Sequence, residues 1–188
     1  MHFLQKYNNI KNIRFKSFQF ALNEAAKRKH KILVETGVAR GKIKFFIFSK
    51  INWKDGMSTM IFSDYAKYNN GALYSCDISQ KNINNAKKFT KQNNDYITFF
   101  TDDSLTFLKN FKKNIDFLYL DSLDGQFKEA SSHQLNEIKN SIDKLKEGSL
   151  VLLDDKGIKT NLSIDYMLKN NFKIINETKQ QVLLSYKT

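Results

Sequence analysis

From residue 31 onward, short apolar runs alternate with segments in which apolar residues recur at helical spacing. The apolar runs predict strands, and they read ILVE, ALYSCD, YITFFT, IDFLYLD, SLVLLDD, FKIIN and VLLSY. The segments between them, such as STMIFSDYAKY and EASSHQLNEIKNSIDKL, have the length and periodicity of helices. Strands that alternate with helices in this way predict a mostly parallel sheet covered on both faces.

The last two apolar runs, Phe172 to Asn176 and Gln181 to Tyr186, are separated only by ETKQ. A linker this short cannot hold a crossover helix, so the two runs are expected to pair as an antiparallel hairpin. The sequence therefore predicts an α/β fold of the Rossmann-like, doubly wound type. Its sheet should have seven mostly parallel strands, a C-terminal antiparallel β-hairpin and helices on both faces.

One domain accounts for most of the chain. A length of 188 residues with 41% hydrophobic content is enough for a single core. Residues 1–30 are predicted to be an N-terminal helical segment. Its apolar residues, among them Phe15 and Phe18, are expected to pack against the domain or a partner. Residues 31–188 form the Rossmann-like domain, within which residues 40–55 are predicted to be an inserted loop or short hairpin.

The net charge of the chain bears on whether it binds nucleic acid. A formal net charge of +12 favours binding to phosphates. Arginine, which binds phosphate in bidentate fashion, occurs only at Arg14, Arg28 and Arg40, whereas lysines are scattered over many segments. We therefore keep nucleic acid as an alternative partner rather than the leading one.

The remaining composition points to a reducing compartment. The single cysteine, Cys76, excludes an internal disulfide and a cysteine-based zinc site. The N-terminal stretch is polar too early for a signal peptide, and no apolar run is long enough to span a membrane. A cytoplasmic location with no membrane partner is the default expectation.

The stretch KILVETGVARG carries the first sign of a ligand site. A strand here ends in Glu35, Thr36 and Gly37, and the next sheet strand ends in Asp77. Glycine lets the backbone approach a ligand closely, and an acid at the end of the second strand can accept hydrogen bonds from a ribose diol. This order of features is typical of a nucleotide-type cofactor site.

The same features, in this order, resemble the class I S-adenosylmethionine-dependent methyltransferases over residues 31–188. The resemblance implies that S-adenosylmethionine is the cofactor and that Glu35 and Gly37 lie at its first turn. It implies that Asp77 holds the ribose, that Asp103 and Ser104 lie near the adenine, and that Asp121 lies beside the methyl donor.

The glycine turn departs from the pattern of that family, because GKIKFFIFSKINWKDG separates it from the next helix. We interpret the turn as split, so that the helix begins only at Gly56, Ser58 and Thr59. Ser58 or Thr59 would then cap free amides near the cofactor carboxylate. The competing interpretation takes Gly41 as the motif glycine and starts a helix at Lys42.

An acidic set follows the fourth and fifth strands of the predicted parallel sheet. Asp121 and Asp124 follow the fourth, and Asp154 and Asp155 follow the fifth. Neighbouring strand ends meet at one edge of such a sheet, and oxygen ligands suit Mg²⁺ or Ca²⁺. The set resembles the metal-dependent O-methyltransferases that act on sugars and catechol-like diols, which implies that Asp121, Asp154 and Asp155 hold Mg²⁺. Ordinary polar turns are the alternative.

His133 begins a helix on the substrate side of the sheet and is a candidate base, with a surface histidine as the alternative. Together with Asp121 it forms the predicted catalytic set. The leading hypothesis is methylation of a hydroxyl on a small molecule, such as a sugar or secondary metabolite. Methylation of RNA or protein and a non-catalytic scaffold role stay open, as does a homodimer.

Overall fold

The computed structural model describes residues 1–45, 48–55 and 57–187. The described strands are β1 (Ile32–Thr36), β2 (Lys42–Phe45), β3 (Phe48–Ile51), β4 (Ala72–Asp77), β5 (Ile97–Thr101), β6 (Ile115–Leu120), β7 (Leu145–Leu153), β8 (Phe172–Glu177) and β9 (Val182–Tyr186). The described α-helices are α1 (Phe15–Lys27), α2 (Ser58–Tyr68), α3 (Gln80–Phe89), α4 (Ser104–Asn110), α5 (Ala130–Ser141) and α6 (Asn161–Lys169).

Seven of these strands form one sheet in the order β5-β4-β1-β6-β7-β9-β8. The first five in this order pair in parallel, and β9 runs antiparallel to both β7 and β8. The predicted Rossmann-like sheet with its C-terminal hairpin is therefore confirmed.

The register aligns the carboxyl ends of the central strands. Thr36 of β1 lies opposite Cys76 of β4 and Leu120 of β6, and Leu120 in turn lies opposite Leu153 of β7. The backbone pairing continues past the strands, since the amide of Asp121 donates to the carbonyl of Thr36 at 3.0 Å. The residues that follow β1, β4, β6 and β7 therefore meet at one edge of the sheet.

Helices cover both faces because successive residues of a strand point to opposite sides. On β6, Phe117 and Tyr119 pack into the core beneath α1 and α2, whereas Leu118 and Leu120 pack into the core beneath α4, α5 and α6. The longest described helix, α1, has 13 residues, and no described helix is both long and apolar enough to cross a membrane.

The N-terminal segment shares the core of the sheet. A short 3-10 helix over His2–Tyr7 precedes α1, and both contribute buried residues to the core cluster that includes β1, β6 and β7. Phe18 of α1 is completely buried and makes edge-on ring contacts with Phe62 and Tyr119, at centroid distances of 5.5 and 5.6 Å. This face of α1 therefore rests on the domain itself.

The segment between β1 and α2 contains the hairpin β2–β3, which is a separate two-stranded antiparallel sheet. The α2 helix begins at Ser58, as the split-turn interpretation predicts. The competing prediction of a helix from Lys42 is wrong, because residues 42–45 form a strand. The aromatic and β-branched residues of this stretch favour extended backbone.

We expect Phe18→Ala to destabilise the fold by about 3 to 5 kcal/mol, because it removes a fully buried ring from a close-packed core. Phe20→Ala is the matched control, since Phe20 lies on the same helix and is 37% exposed. Urea unfolding followed by circular dichroism measures both. Equal, small losses in the two variants would show that α1 does not share the core.

Candidate active site

An apolar cleft lies at the carboxyl edge of the sheet, with about 400 Å³ of empty volume. Its lining comes from the segments that follow β1, β4, β5 and β6 and from the start of α5. The lining residues are Gly37, Cys76, Asp77, Ile78, Asp103, Ser104, Ser122, Leu123 and His133. Five of the residues predicted from the sequence are therefore brought together here: Gly37, Asp77, Asp103, Ser104 and His133.

Gly37 is required by the close approach of two strand ends. Its φ is +81°, and a Cβ at this position would lie 2.1 Å from the carbonyl oxygen of Asp121. Its amide donates to the carbonyl of Cys76 at 2.8 Å. Any side chain here would push β1 away from β6 and so open the floor of the cleft.

Asp77 is held in place by donors from two loops. Its Oδ2 accepts from the amide of Val38 at 3.2 Å, and its Oδ1 accepts from the amide of Ser79 at 2.7 Å. The side-chain amide of Asn82 lies 3.2 Å from both oxygens. These four contacts equal the about four lone-pair positions of a carboxylate, so a ribose hydroxyl would have to take the place of one of them, such as a contact from Asn82. The carboxylate lies at the cleft, and its predicted ribose contact stays a prediction.

His133 lies beside the residues predicted to be near the adenine. Its Nε2 is 2.9 Å from Oγ of Ser104, and Asp103 caps α4 by accepting from the amide of Thr106 at 3.0 Å. The buried Glu137 lies 3.9 Å from the same nitrogen of His133. The histidine is therefore part of the apolar cleft wall, and its action as a base stays a prediction.

Glu35 is fully buried and ties three elements together. Its carboxylate accepts from the hydroxyls of Ser58 at 2.5 Å and Ser75 at 2.8 Å. Burial raises the pKa of Glu35 to about 7, against the lowering effect of these hydroxyl groups. The contacts hold the start of α2 against β1 and β4. The predicted place of Glu35 at the first turn of the cofactor site stays a prediction.

The predicted capping of α2 by Ser58 or Thr59 is wrong. Met57 is the N-cap residue, with φ of +56°, and no side chain caps the helix. The hydroxyl of Ser58 donates to Glu35 instead, and that of Thr59 accepts from the amide of Ala39 at 2.8 Å. The amides at the start of α2 are therefore left without a side-chain cap. Gly56, also predicted to bind the cofactor, lies outside the described residues.

A second, polar chamber of about 620 Å³ adjoins the cleft. It shares Gly37, Asp77 and Ser122 with the cleft, so these residues lie between the two spaces. Its lining is otherwise dominated by charged side chains. These are Arg14, Arg40, Asp121, Asp124 and Asp155.

The predicted acidic residues do lie together. Asp121, Asp154 and Asp155 each offer an oxygen, and these atoms all lie within 4.8 Å of one another. Asp154 has no exposed surface, and Asp155 has a left-handed φ of +54° that is strained for a residue other than glycine. Asp124 pairs instead with Arg40, whose Nη2 is 2.7 Å from its Oδ1.

Two cationic side chains lie on this cluster. Nε of Arg14 is 2.8 Å from both oxygens of Asp154, and Nη2 of Arg14 is 3.2 Å from Oδ1 of Asp155. Nζ of Lys159 is 2.9 Å from Oδ1 of Asp121 and 3.0 Å from Oδ2 of Asp155. The three carboxylates and two cations form one network, here called the ion cluster.

Burial and neighbouring charges shift the pKa values of Asp121 and Lys159 in the ion cluster. Burial, together with the neighbouring Asp154, raises the pKa of Asp121 well above its ordinary value, while Lys159 opposes this. Burial alone would lower the pKa of Lys159, but Asp121 and Asp155 raise it above its ordinary value. Both cations therefore stay charged at neutral pH.

A family model described as a methyltransferase domain matches residues 53–156, which is more than half of the chain. The chain belongs to the class I S-adenosylmethionine-dependent methyltransferases. The match begins just before α2 and ends just after Asp155, so it spans most of the strands whose ends form the cleft. No curated protein sequence matches the chain.

Solved structures share the fold of this methyltransferase. The methyltransferase PaMTH1 of Podospora anserina, solved with S-adenosylhomocysteine, has a TM-score of 0.65 at 12% identity and covers 92% of this chain and 78% of its own. A putative O-methyltransferase from Klebsiella pneumoniae has a TM-score of 0.64 at 12% identity, with coverages of 92% and 80%. An rRNA methylase from Streptococcus thermophilus has a TM-score of 0.63 at 13% identity, with coverages of 96% and 99%.

The carboxylates of the ion cluster are the candidate ligands for a divalent cation in this methyltransferase. Oxygen ligands of this kind suit Mg²⁺. In the structure, however, every carboxylate oxygen of Asp121, Asp154 and Asp155 already accepts a hydrogen bond or ion pair from the protein. The set does not fit an added ion unless Lys159 is displaced. The predicted Mg²⁺ requirement stays a prediction.

Sequence reasoning missed Arg14, Lys159 and Glu137 as site residues. Arg14 lies 140 residues from Asp154, and Lys159 is one of 31 lysines and arginines, so neither stands out by spacing. The rarity of arginine was the available signal. Each of the three arginines bonds a carboxylate or a carbonyl, which matches the forked geometry that lysine lacks.

We expect Glu35→Gln to flatten the pH dependence of the methyltransferase's stability. Because the pKa of Glu35 is raised from 4.5 to about 7, the folded chain holds this proton more tightly than the unfolded chain. Stability is thus lost as pH rises through that window, by up to about 3 kcal/mol. In denaturant titrations, the free energy of unfolding of the variant should therefore rise relative to that of the wild type by this amount between pH 4.5 and 7.

Glu147→Gln is the control for this measurement, because Glu147 is exposed. Asp77 also faces Glu35 and favours its protonated form, so the comparison should be repeated in an Asp77→Asn background. Parallel pH profiles for wild type and Glu35→Gln would rule out the raised pKa.

Proposed function

We propose that this methyltransferase transfers a methyl group to a hydroxyl of a small polar molecule. The polar chamber carries the proposal, because it adjoins the apolar cleft and is lined by carboxylates and guanidinium groups. Carboxylates accept hydrogen bonds from hydroxyls and can take up their protons.

The apolar cleft is proposed to hold the adenosine part of S-adenosylmethionine. Asp77 would accept from the ribose hydroxyls, and Asp103 and Ser104 would border the adenine. The uncapped amides at the start of α2 lie beside the chamber, where Ser58 lines the wall, and favour a carboxylate ligand. When bound, S-adenosylmethionine supplies an electrophilic methyl group.

The chamber residues are proposed to orient and deprotonate the acceptor. Asp121 lies directly after β6, and its backbone packs on Gly37, so its side chain is at the junction of cleft and chamber. Its carboxylate would accept the proton of the acceptor hydroxyl as the oxygen attacks in line. Lys159 and Arg14 hold the surrounding carboxylates in fixed positions, which keeps the acceptor aligned.

RNA is the second candidate for the acceptor. The net charge of +12 favours it, and the chain covers 97% of a putative rRNA-methylase from Clostridium thermocellum at 13% identity and a TM-score of 0.62. An acid-lined chamber argues against a phosphate backbone within the site itself. RNA binding that weakens steeply between low and moderate salt would favour this alternative, and a flat response would exclude it.

We expect Asp77→Ala to weaken binding of S-adenosylhomocysteine by about 5- to 150-fold, which corresponds to about 1 to 3 kcal/mol for buried polar partners left unsatisfied. Calorimetric titration measures the affinity. Asp165→Ala is the matched control, because Asp165 is exposed on α6. Equal affinities in wild type and Asp77→Ala would remove the ribose assignment, and no binding by the wild type would favour a scaffold role.

Transfer of a radiolabelled methyl group to a panel of sugars, catechols and other hydroxylated compounds tests the reaction. We expect label in at least one hydroxyl product. Asp121→Asn should lower turnover at least tenfold while the affinity for S-adenosylhomocysteine changes little, because the amide cannot take up the hydroxyl proton. Label that enters only RNA or protein would overturn the proposal.

A further inference from the structure

The ion cluster occupies the place where the metal-dependent O-methyltransferases that this sequence resembles are expected to hold their cation. Its three carboxyl groups come from the segments directly after β6 and β7, and when all are ionised they carry three negative charges. Arg14 and Lys159 bring two positive charges. Most of the charge compensation that a divalent ion supplies is therefore already present in the chain.

Lys159 is coordinated much as a shared cation would be. Its side chain is only 2% exposed, and its ammonium group lies between two carboxylates, at 2.9 Å from Asp121 and 3.0 Å from Asp155. It also donates to the carbonyl of Leu123 at 3.1 Å. An ammonium has three donors, and each has an oxygen partner here.

Arg14 closes the other side of the cluster. It bonds both oxygens of Asp154, one oxygen of Asp155 and, through Nη1, the carbonyl of Lys54 at 2.7 Å. Asp154 therefore has no oxygen free of a protein donor. A divalent ion would have to compete with a guanidinium held by three different residues and would lie close to two fixed positive charges.

We propose that Arg14 and Lys159 replace the divalent metal in this methyltransferase, with Lys159 in the position of the ion. Lys159 is a positioning residue: it holds Asp121 and Asp155 at the junction of cleft and chamber without an exchangeable cation. Catalysis should then be insensitive to chelators. The inference rests on the proposed function only for that last consequence, since occupancy of the cluster can be measured without turnover.

Binding of Mn²⁺ to the purified full chain, followed by electron paramagnetic resonance, tests the inference. We expect the wild type to show no tight Mn²⁺ site. Lys159→Ala removes the resident ammonium and should create one, with affinity at least tenfold higher than any wild-type binding. Lys156→Ala is the matched control, because Lys156 lies nearby in sequence but pairs with Glu177 outside the cluster. It should behave like the wild type.

Three results would overturn the inference. One is a stoichiometric Mn²⁺ site in the wild type that Asp154→Ala abolishes. Another is a folded Lys159→Ala variant that gains no Mn²⁺, since Lys159 would then not hold the position of the ion. The third is Mn²⁺ binding in Lys159→Ala that persists when Asp121→Ala is added. Should Lys159→Ala fail to fold, the wild-type titration and Lys159→Met decide in the same way.

These results are separate from the proposed function. A wild type that binds no Mn²⁺ but methylates no hydroxyl would retain the cation replacement and lose the proposed acceptor. Methyl transfer to a hydroxyl that is abolished by a chelator and restored by Mg²⁺ would retain the proposed acceptor and overturn the cation replacement.

Discussion

The polar chamber of this methyltransferase depends on the bond between Arg14 and Asp154. Asp154 directly follows strand β7 and has no exposed surface, and a carboxylate in that position requires a partner of opposite charge. Arg14 supplies it with two contacts of 2.8 Å. Loss of one partner from a buried pair leaves a bare charge, which costs about 3 to 5 kcal/mol.

The position of α1 follows from two kinds of constraint. Its apolar face packs on Phe62 and Tyr119 through Phe18, which fixes the depth of the helix on the sheet. Arg14, directly before the helix, fixes its end at the carboxyl edge. Hydrophobic packing therefore places the segment, and an ion pair makes it part of the site.

Much of the fold could be predicted because its signals are local. The alternation of apolar runs and helical segments gives the parallel sheet, and the short linker ETKQ gives the terminal hairpin. The register of parallel strands then explains why Asp121 and Asp154 were expected to meet although they are far apart in sequence. The pairing of the strand backbones fixes where the residues directly after each strand lie, and the sequence pattern predicts those strands.

The partners of side chains were harder to predict. Ser58 and Thr59 are residue types that commonly cap helices. The Ser58 hydroxyl, however, donates to the buried carboxylate of Glu35 instead of capping the helix. Lys159 has no distinguishing pattern among the many lysines of the chain. A cluster of acids read from the sequence indicates where positive charge is needed, but it does not tell whether a metal or a side chain provides it.

The separation of 140 residues between Arg14 and Asp154 also matters for synthesis of the chain. Residues leave the ribosome in order, so Arg14 and the apolar face of α1 emerge long before β7 exists to receive them. Until then α1 lacks part of its core, and Arg14 lacks its counter-charge. A nascent chain that stops before residue 154 can carry the first strands of the apolar cleft but not a closed polar chamber, so the proposed acceptor site forms only in the nearly finished polypeptide.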